Sequence, residues 1–219
     1  MIKKESIIVL SGGLDSTTLL YDKQAEIGLA VTFKYGSNHE ANEIPCAAYH
    51  CQKLGIEHLI IDLDFMSRMH SSLLSGAEDI PTGTYGEDNM KSTVVPFRNG
   101  VMLSIAGAIA EDRGLKRVLI ANHFGDHAIY PDCTAAFIKG MNAAIQAGTY
   151  NAVEVAAPYT GINKEEIVAI GTRLGVDYGH TWSCYKGGDK PCGVCATCQE
   201  RIEAFRKNGI TDPLEYINE

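Results

Sequence analysis

Two short stretches of this sequence bring together residue types that can do chemistry. The first, residues 10–20 (LSGGLDSTTLL), directly follows an apolar run. Gly12 and Gly13 can take positive φ angles and let backbone N–H groups approach an anion. Ser11 and Ser16 add hydroxyl donors, and a helix that begins near Ser16 points its partial positive charge at the same place. We therefore predict a phosphate-binding loop, in preference to a strand-to-helix turn without a ligand.

The second stretch holds four of the seven cysteines, Cys184, Cys192, Cys195 and Cys198. Four thiolates at these short spacings are enough for a closed tetrahedral zinc site, and the glycines between them allow tight turns. Because protein ligands fill all four positions, we predict one structural zinc ion per chain. The alternatives are a redox or thiolation role for one C-x-x-C pair, or four free buried cysteines.

The composition limits the kind of protein that carries these two stretches. A chain of 219 residues, 45% of them hydrophobic, is long enough for one α/β domain without disulfides. The net charge of -8 disfavours binding of a polyanion, and the sequence has no basic patch to offset this charge. We therefore expect no nucleic-acid partner. No apolar run approaches the roughly 20 residues of a membrane helix, and the N-terminal run is too short for a signal peptide. We expect a cytoplasmic protein that binds no membrane.

Short β-branched runs alternate with helical patterns along the chain, as in a parallel sheet with helices on both faces. The predicted strands are residues 6–10, 29–33, 58–62, 117–121 and 153–156. The predicted helices are residues 17–27, 40–54, 99–113, 134–147 and 164–174. The fold class is therefore α/β, a doubly wound and mostly parallel sheet of about five strands, with its ligand crevice at the carboxyl ends of the strands.

The glycine-containing loop fits neither the G-x-x-x-x-G-K-[ST] phosphate loop nor the G-x-G-x-x-G dinucleotide fingerprint. It resembles the SGG-x-D-S loop of the N-type ATP pyrophosphatases, the PP-loop superfamily. That superfamily includes GMP synthetase, NAD synthetase, asparagine synthetase and tRNA thiolation enzymes. The resemblance implies an adenine nucleotide alpha hydrolase-like, Rossmann-like fold. It also implies that ATP and Mg²⁺ are used to form an adenylate and pyrophosphate.

The same resemblance assigns residues to this chemistry. Lys164, a cation in the first turn of a predicted helix, opposes the helix dipole and matches the superfamily's late lysine, which reaches the pyrophosphate. The residues expected to act in catalysis are Ser11, Asp15, Ser16, Arg98 and Lys164. The residues expected to bind ATP are Leu10, Ser11, Gly12, Gly13, Leu14, Asp15, Ser16, Thr17, Thr18, Leu19, Leu20 and Lys164.

Two segments fall outside the strand and helix alternation. Residues 75–95 are long, polar and rich in Gly, Asp and Thr, and we interpret them as a mobile active-site lid or a disordered loop. Residues 180–198 contain the four clustered cysteines. We accordingly divide the chain into a PP-loop domain, residues 1–179, and a zinc-binding segment with a C-terminal helix, residues 180–219.

Four motifs together are similar to a narrower family, the 7-cyano-7-deazaguanine synthases (QueC), and occur in its order over nearly the whole chain. They are LSGGLDST, TVVPFRN at 93–99, IYPDC at 129–133, and the cysteine spacing C-x7-C-x2-C-x2-C. The resemblance implies an ATP-dependent carbon–nitrogen ligase of queuosine biosynthesis. Such an enzyme converts 7-carboxy-7-deazaguanine and ammonia to the nitrile through an acyl-adenylate and an amide. Relatives in this family also suggest a homodimer.

Two positions depart from the pattern of that family. Phe97 stands where glycine is commoner, and Thr134 stands where arginine is commoner. The predicted substrate contacts lie close to both positions and are, in chain order, Tyr35, Phe97, Arg98, Asn99, Asp126, Tyr130 and Asp132. Arg98 could hold the carboxylate by a two-pronged contact, the aspartates could accept from the guanine-like edge, and the aromatic residues could stack on the ring.

Three other functions stay open from the sequence. A tRNA thiolation enzyme shares the loop and would use Cys133 as its catalytic cysteine, but it must bind a polyanion. A relative within the family could stop at the amide or join the activated acid to another amine. A nucleotide-binding module without enzymatic activity is the third alternative, and turnover of ATP to AMP separates it from the enzymes.

Overall fold

Five parallel strands form one sheet in the computed structural model, which describes residues 4–74, 80 and 88–218. The strands are β1 (Ser6–Val9), β2 (Ile27–Lys34), β3 (Glu57–Asp62), β4 (Arg117–Leu119) and β5 (Glu154–Ala156). Their order across the sheet is β3-β2-β1-β4-β5. The predicted doubly wound parallel sheet of about five strands is confirmed.

Six α-helices cover the two faces of this sheet within the described residues. They are α1 (Leu14–Asp22), α2 (Glu40–Leu54), α3 (Arg98–Asp112), α4 (Ala135–Gly148), α5 (Lys164–Leu174) and α6 (Ala196–Lys207). One core lies between the sheet and helices α3 and α4, and the other lies between the sheet and helices α1, α2, α5 and α6. Residues 75–79 and 81–87 of the predicted lid or loop lie outside the described residues. Asp88–Thr93 of the same segment forms a short 3-10 helix.

Strand β1 occupies the centre of the sheet, and this position explains why its sequence is apolar. Successive side chains of a strand point to opposite faces, and Ile7 belongs to one core while Ile8 belongs to the other. Both side chains are fully buried, which is why this strand is a continuous apolar run. The chain order reverses between β1 and β4, and ligands of such sheets bind in the crevice at this point.

The C-terminal helix α6 shares a core with the rest of the protein. Ala204 and Phe205 are buried with residues of α1 and α5. Arg201, also on α6, is fully buried and makes two short hydrogen bonds to Asp212, at 2.6 and 2.9 Å. The division at residues 179 and 180 stays a prediction, since the two parts pack on a common core.

One stretch of the described residues, Met90–Asp112, is long and apolar enough to cross a membrane by length and composition alone. Half of the most apolar part of this stretch is buried inside the protein. Its α-helical part, α3, packs against β1 and β4. The core helix of a soluble protein has the same properties, so this stretch is weak evidence for a membrane span.

Candidate active site

A crevice of about 220 Å³ opens at the carboxyl ends of β1, β2 and β4. The phosphate-binding loop after β1, the N-termini of α2, α3 and α5, and the cysteine segment all contribute to its walls. The predicted site residues that line it are Leu10, Ser11, Gly13, Leu14, Asp15, Ser16, Tyr35, Arg98, Asn99, Asp126, Tyr130 and Lys164. The fold thus brings the residues predicted to bind ATP and several of those predicted to bind the substrate into one crevice.

The two glycines of the loop have different tasks. Gly12 has a φ of +93°, and a Cβ atom placed on it would lie 2.1 Å from the carbonyl oxygen of Glu43 on α2. Among the amino acids, only glycine tolerates this conformation together with so close an approach. Gly13 has a φ of -75° and caps the N-terminus of α1. The expectation of a positive φ therefore holds for Gly12 and is wrong for Gly13.

The two loop serines brace the turn. The hydroxyl oxygens of Ser11 and Ser16 are 2.9 Å apart, and Ser16 Oγ also accepts from the backbone N–H of Ser11 at 3.2 Å. Ser11 Oγ accepts from the backbone N–H of Gly13 at 3.1 Å. Helix α1 begins at Leu14, earlier than predicted, and the N–H groups of a first turn have no acceptor within their own helix. The loop is therefore held in a shape that presents donors to an anion.

Lys164 meets Asp15 in the crevice, although 149 positions separate them in the sequence. Lys164 Nζ lies 2.5 Å from Asp15 Oδ2 and 3.4 Å from Glu200 Oε2. Burial acts to raise the pKa of Asp15, but the charge and hydrogen bond of Lys164, together with the charges of His123 and Arg201, outweigh it and the net pKa is lowered. The second oxygen, Asp15 Oδ1, is buried with no hydrogen-bond partner in the described part of the chain.

Asp126 belongs to the same charged group. Its Oδ2 accepts from the backbone N–H of His123 at 3.1 Å, and its Oδ1 lies 3.5 Å from His123 Nε2. Burial raises the pKa of Asp126 to about 7, with Asp15 adding to the rise and Lys164 opposing it. The prediction placed Asp126 at the guanine-like edge, whereas the structure places it beside Lys164, next to the phosphate-binding loop.

Arg98 and Tyr35 form a second polar group in the crevice. Arg98 Nη1 donates to the hydroxyl of Tyr35 at 3.0 Å, and its guanidinium lies 5.7 Å from the centre of the Tyr35 ring. Arg98 is the first residue of α3, where a cation opposes the helix dipole. A positive charge held in this position can bind a carboxylate or a phosphate.

Asn99 and Asp132 hold the start of α3. Asp132 Oδ2 accepts from the backbone N–H of Asn99 at 2.9 Å, and Asn99 Nδ2 donates to the backbone oxygen of Asp132 at 3.1 Å. Asp132 is buried and does not line the crevice. The position of Asp132 does not support its predicted contact with the substrate. Its carboxylate instead accepts a hydrogen bond from the N-terminus of α3 and so has a structural role.

Phe97 also lies outside the crevice. Its backbone is left-handed, with a φ of +54°, and its side chain is 58% exposed. The ring covers Gly100 and meets the ring of Phe137 edge-on at 5.9 Å. The predicted stacking of Phe97 on the substrate is not supported by this position. A left-handed backbone is a conformation that glycine adopts more easily than phenylalanine.

Thr134, the other departure, caps helix α4. Its hydroxyl accepts from the backbone N–H of Phe137 at 3.2 Å. Threonine is a good N-cap residue because its short side chain reaches back to the first turn, which an arginine cannot do in the same way. The departure therefore has a local structural role in this protein.

Tyr130 and Cys133 lie deep in the crevice wall. The Tyr130 hydroxyl is 2.9 Å from the hydroxyls of both Thr93 and Tyr185, which fixes its ring. Cys133 Sγ accepts from Asn99 Nδ2 at 3.2 Å, and burial raises the pKa of this thiol. A thiol held in its protonated form is a poor nucleophile.

Several residues assigned to ATP form the core beneath the loop. Thr17, Thr18, Leu19 and Leu20 have no exposed surface and do not line the crevice. The Thr18 hydroxyl donates to the backbone oxygen of Leu14 at 2.8 Å. Their position corrects the assignment: the side chains of these four residues support α1 from behind and are not available to a ligand.

The four clustered cysteines converge as predicted. The sulfur atoms of Cys184, Cys192, Cys195 and Cys198 all lie within 4.8 Å of one another and are buried. A tetrahedral metal with bonds of about 2.3 Å holds its sulfur ligands roughly 4 Å apart, so this group fits a metal ion. Gly187, Gly188 and Gly193 have positive φ angles of +67°, +88° and +75°, which provides the predicted turns.

The sequence interpretation missed several residues of the crevice. His39 and Glu43 lie four residues apart at the start of α2, and Trp182 and Tyr185 belong to the cysteine segment. Glu200, which follows the last of these cysteines, does not line the crevice but contacts Lys164. A signal for the first pair was present, because a polar helix start after β2 must face the same sheet edge as the phosphate-binding loop. The others depend on how the cysteine segment folds back, which its spacing does not reveal.

Comparison with known proteins identifies relatives along nearly the whole chain. The family model described as "Queuosine biosynthesis protein QueC" matches residues 5–209. The 7-cyano-7-deazaguanine synthase of Porphyromonas gingivalis is 59% identical over 98% of this chain and 98% of its own length. That of Desulfotalea psychrophila is 46% identical over 97% of this chain and 99% of its own length.

A solved structure of similar fold is that of NMN synthetase from Francisella tularensis. It has a TM-score of 0.54 and covers 95% of this chain and 78% of its own chain. The sequence identity is 15%, so this likeness concerns the fold alone.

Proposed function

The chain belongs to the queuosine biosynthesis family QueC, and from this premise we propose that it makes 7-cyano-7-deazaguanine from 7-carboxy-7-deazaguanine, ammonia and ATP. The observation that supports the proposal is one crevice that contains the phosphate-binding loop, a buried lysine and an arginine. Lys164 lies against the loop, and Arg98 lines the same space. An acid and the α-phosphate of ATP can meet between them.

The phosphate-binding loop would hold the β and γ phosphates of ATP. Backbone N–H groups at the start of α1 and the Lys164 ammonium would stabilise the pyrophosphate as its charge develops. Lys164 is kept charged because Asp15, Glu200 and Asp126 outweigh the cost of its burial, which raises its pKa. No titration of this lysine is needed during turnover at neutral pH.

A magnesium ion fits the carboxylate group beside the loop. Asp15 has one buried oxygen with no hydrogen-bond partner among the described residues, and Asp126 and Glu200 lie close to the same lysine. Carboxylate oxygens are the ligands that Mg²⁺ prefers, usually together with substrate phosphates. We propose that Asp15, with Asp126 or Glu200, holds the ion, which would neutralise charge on the pyrophosphate.

Arg98 would bind the carboxylate of the deazaguanine acid. A carboxylate does not react with ammonia because its leaving group would be an oxide, and adenylation replaces that group with AMP. Ammonia then displaces AMP and gives the amide. A second adenylation, on the amide oxygen, creates the leaving group that dehydration to the nitrile requires. One loop can therefore serve both steps.

The cysteine group would bind one structural zinc ion per chain. Four thiolates fill a tetrahedral shell and leave no position for water or substrate. The residues between the cysteines nevertheless border the crevice, since Tyr185 and Thr197 line it. The proposed zinc would position this wall of the site and take no part in the reaction. A homodimer in the cytoplasm stays part of the proposal.

The thiolation alternative loses support at Cys133. This thiol is buried, and its raised pKa disfavours the thiolate that sulfur transfer requires. Formation of a different amide by a related reaction remains compatible with the crevice, and product analysis separates it from nitrile formation.

The proposed adenylation can be tested by exchange of labelled pyrophosphate into ATP. We expect exchange that depends on 7-carboxy-7-deazaguanine and Mg²⁺ and that does not require ammonia. Guanine, which lacks the carboxylate, is the matched control and should support none. Exchange that is equally fast without any acid would contradict the proposed first step.

A further inference from the structure

Two side chains of the crevice have no task in the chemistry described so far. His39 caps the N-terminus of α2, and Glu43 lies one helical turn later. Both line the crevice, and His39 Nε2 lies 3.6 Å from Glu43 Oε2. The exposed fractions of their side chains are 6% and 17%. They form a buried acid–base pair that faces the space for the ligand.

The free atom of this pair is His39 Nδ1. It is buried, and no hydrogen-bond partner for it exists among residues 4–74, 80 and 88–218. A buried ring nitrogen without a partner costs free energy, and such atoms are rare outside sites that bind something. Because the ring borders the crevice, a bound molecule is the available source of a partner.

The pair borders both polar groups of the site. Glu43 Oε1 lies 3.6 Å from the position that a Cβ atom on Gly13 would take, so it borders the phosphate-binding loop. Arg98 lines the same crevice, and its charge acts on both His39 and Glu43, so the pair also lies near the proposed carboxylate anchor. The acyl carbon, joined through an oxygen to the α-phosphate, would react in this space.

Burial makes the uncharged form of each group the preferred one. It lowers the pKa of His39 to about 4, with Arg98 adding to the effect, and it raises the pKa of Glu43 to about 8 against the opposing charge of Arg98. The other charged or titratable groups that face the pair are Glu40 and Cys46 on α2, and Tyr185 and Cys195 of the cysteine segment. A proton accepted by this pair would therefore rest on Glu43.

We propose that His39 and Glu43 form the proton relay for the nitrogen that ammonia contributes, an inference that rests on the proposed function. His39 Nδ1 accepts a proton from the substrate nitrogen, and once the 3.6 Å between Nε2 and Glu43 Oε2 shortens to hydrogen-bond distance, Nε2–H passes a proton to that oxygen. The pair ends as a neutral imidazole of the other tautomer and a neutral carboxylic acid. Glu43 then releases this proton through the open crevice to water, and exchange with water at the two ring nitrogens (Nδ1–H lost, Nε2–H regained) restores the starting tautomer before the next transfer.

The relay accounts for every proton that the reaction must remove. When the ammonia nitrogen bonds to the acyl carbon, the C–O bond to AMP breaks and one proton leaves the nitrogen. When the adenylated amide becomes the nitrile, the second C–O bond breaks and the remaining two protons leave the same nitrogen. Adenylation itself uses a carboxylate oxygen and releases no proton, so it needs no relay.

This difference between the steps provides the test. In His39→Gln and Glu43→Gln, we expect acid-dependent pyrophosphate exchange within about threefold of wild type, and amide and nitrile formation lowered about 100-fold or more. Hydroxylamine, a stronger nucleophile than ammonia, should still capture the acyl-adenylate as the hydroxamate. His70→Gln and Glu57→Gln, at exposed positions outside the crevice, are the matched controls and should behave as wild type.

Two further measurements separate a relay from a structural role. At a fixed concentration of un-ionised ammonia, wild-type amide formation should rise with pH through about 8, the range in which Glu43 loses its proton. Glu43→Gln should lose that rise. Imidazole added to His39→Ala should restore amide formation at least tenfold, because it can occupy the space that the ring leaves.

The possible outcomes are distinct. Amide formation within a few-fold of wild type in both glutamine variants would overturn the relay. Loss of exchange together with amide formation would also overturn it, because the pair would then act on ATP or on the fold. Absence of acid-dependent exchange in the wild-type protein would instead overturn the proposed function, and this inference with it.

Discussion

At the scale of single residues, the contact between Lys164 and Asp15 is the strongest evidence for phosphate chemistry. Lys164 is buried among the carboxylates of Asp15, Asp126 and Glu200, which keep it charged. This group of charges beside the loop makes sense if magnesium pyrophosphate binds there, with the carboxylates holding the metal ion and the lysine facing the phosphates.

Removing either member of this pair should therefore affect turnover more than folding. We expect Asp15→Asn and Lys164→Ala to lower turnover by roughly 10²–10⁴-fold, since stabilisation of developing charge is worth several kcal/mol. Lys116→Ala, which removes an exposed lysine paired with Glu5, is the control and should retain activity. Near wild-type rates in both crevice variants would refute the pyrophosphate assignment.

Glu43 should also leave a signature in the stability of the free protein. Its pKa is raised from 4.5 to about 8 by burial, so between these values the folded protein binds a proton that the unfolded chain has released. Unfolding then releases a proton, and the stability contributed by this group falls as pH rises from about 4.5 to 8.

Glu43→Gln, which does not titrate, should be increasingly stable relative to wild type over this range. Thermal melts without ATP at pH 5, 7 and 9 should show a widening difference, on the order of a few kcal/mol at most. The exposed variant Glu57→Gln should follow wild type at each pH. A difference that is constant with pH would show that Glu43 does not titrate in this range.

At the scale of secondary structure elements, the loop after β1 depends on α2 as much as on its own sequence. A Cβ atom on Gly12 would clash with the backbone of α2, whereas a Cβ atom on Gly114, which also has a positive φ of +64°, would meet nothing within 4 Å. Gly114→Ala should cost about 1 kcal/mol for backbone strain alone.

Gly12→Ala should cost roughly 2–5 kcal/mol, because strain and overpacking add together. It should also lose adenylation, since the loop cannot keep its shape beside α2. Denaturant unfolding of both variants, with pyrophosphate exchange alongside, measures the two effects. Equal losses of stability in the two variants would show that the close approach to α2 is unimportant.

The cysteine segment is the second element with a testable task. Binding of zinc to four thiolates is coupled to folding and can be worth on the order of 10 kcal/mol in small zinc peptides. We expect Cys192→Ser to lower the zinc content below one ion per chain and to lower Tm and solubility strongly.

Cys51→Ser is the matched control, since this cysteine is equally buried but lies outside the group. It should keep its zinc and lose only the stability that an ordinary buried serine costs, about 1–3 kcal/mol. Elemental analysis with thermal melts decides the matter. A well-folded, zinc-free Cys192→Ser protein without activity would point to a catalytic or redox role.

The elements were predictable to different degrees for physical reasons. The central strand is recognisable in the sequence because both of its faces are buried, which makes it a continuous apolar run. The predicted start of α5 is correct because Asn163 and Glu166 form a capping box, with hydrogen bonds of 2.9 and 2.8 Å. Asp132 was not predictable as a cap of α3, because its partner Asn99 lies 33 residues away.

At the scale of the whole molecule, the parallel sheet gathers groups that are far apart in the sequence. The residues proposed to act on phosphate come from the ends of β1 and β4 and from α5, while Arg98 comes from α3. Sequence motifs alone were enough to identify the phosphate-binding loop and the four clustered cysteines. The crevice wall formed by His39, Glu43 and Tyr185 was not predictable in this way, because it depends on how α2 and the cysteine segment pack against the edge of the sheet.

The central claim is that this crevice turns an acid into a nitrile. The most direct measurement is mass spectrometry of the products after incubation with ATP, Mg²⁺, ammonium and 7-carboxy-7-deazaguanine, with AMP quantified in the same samples. We expect 7-cyano-7-deazaguanine, with two AMP formed for each nitrile and the amide as a transient species. An amide that accumulates without going on to the nitrile, or the absence of any new product, would contradict it.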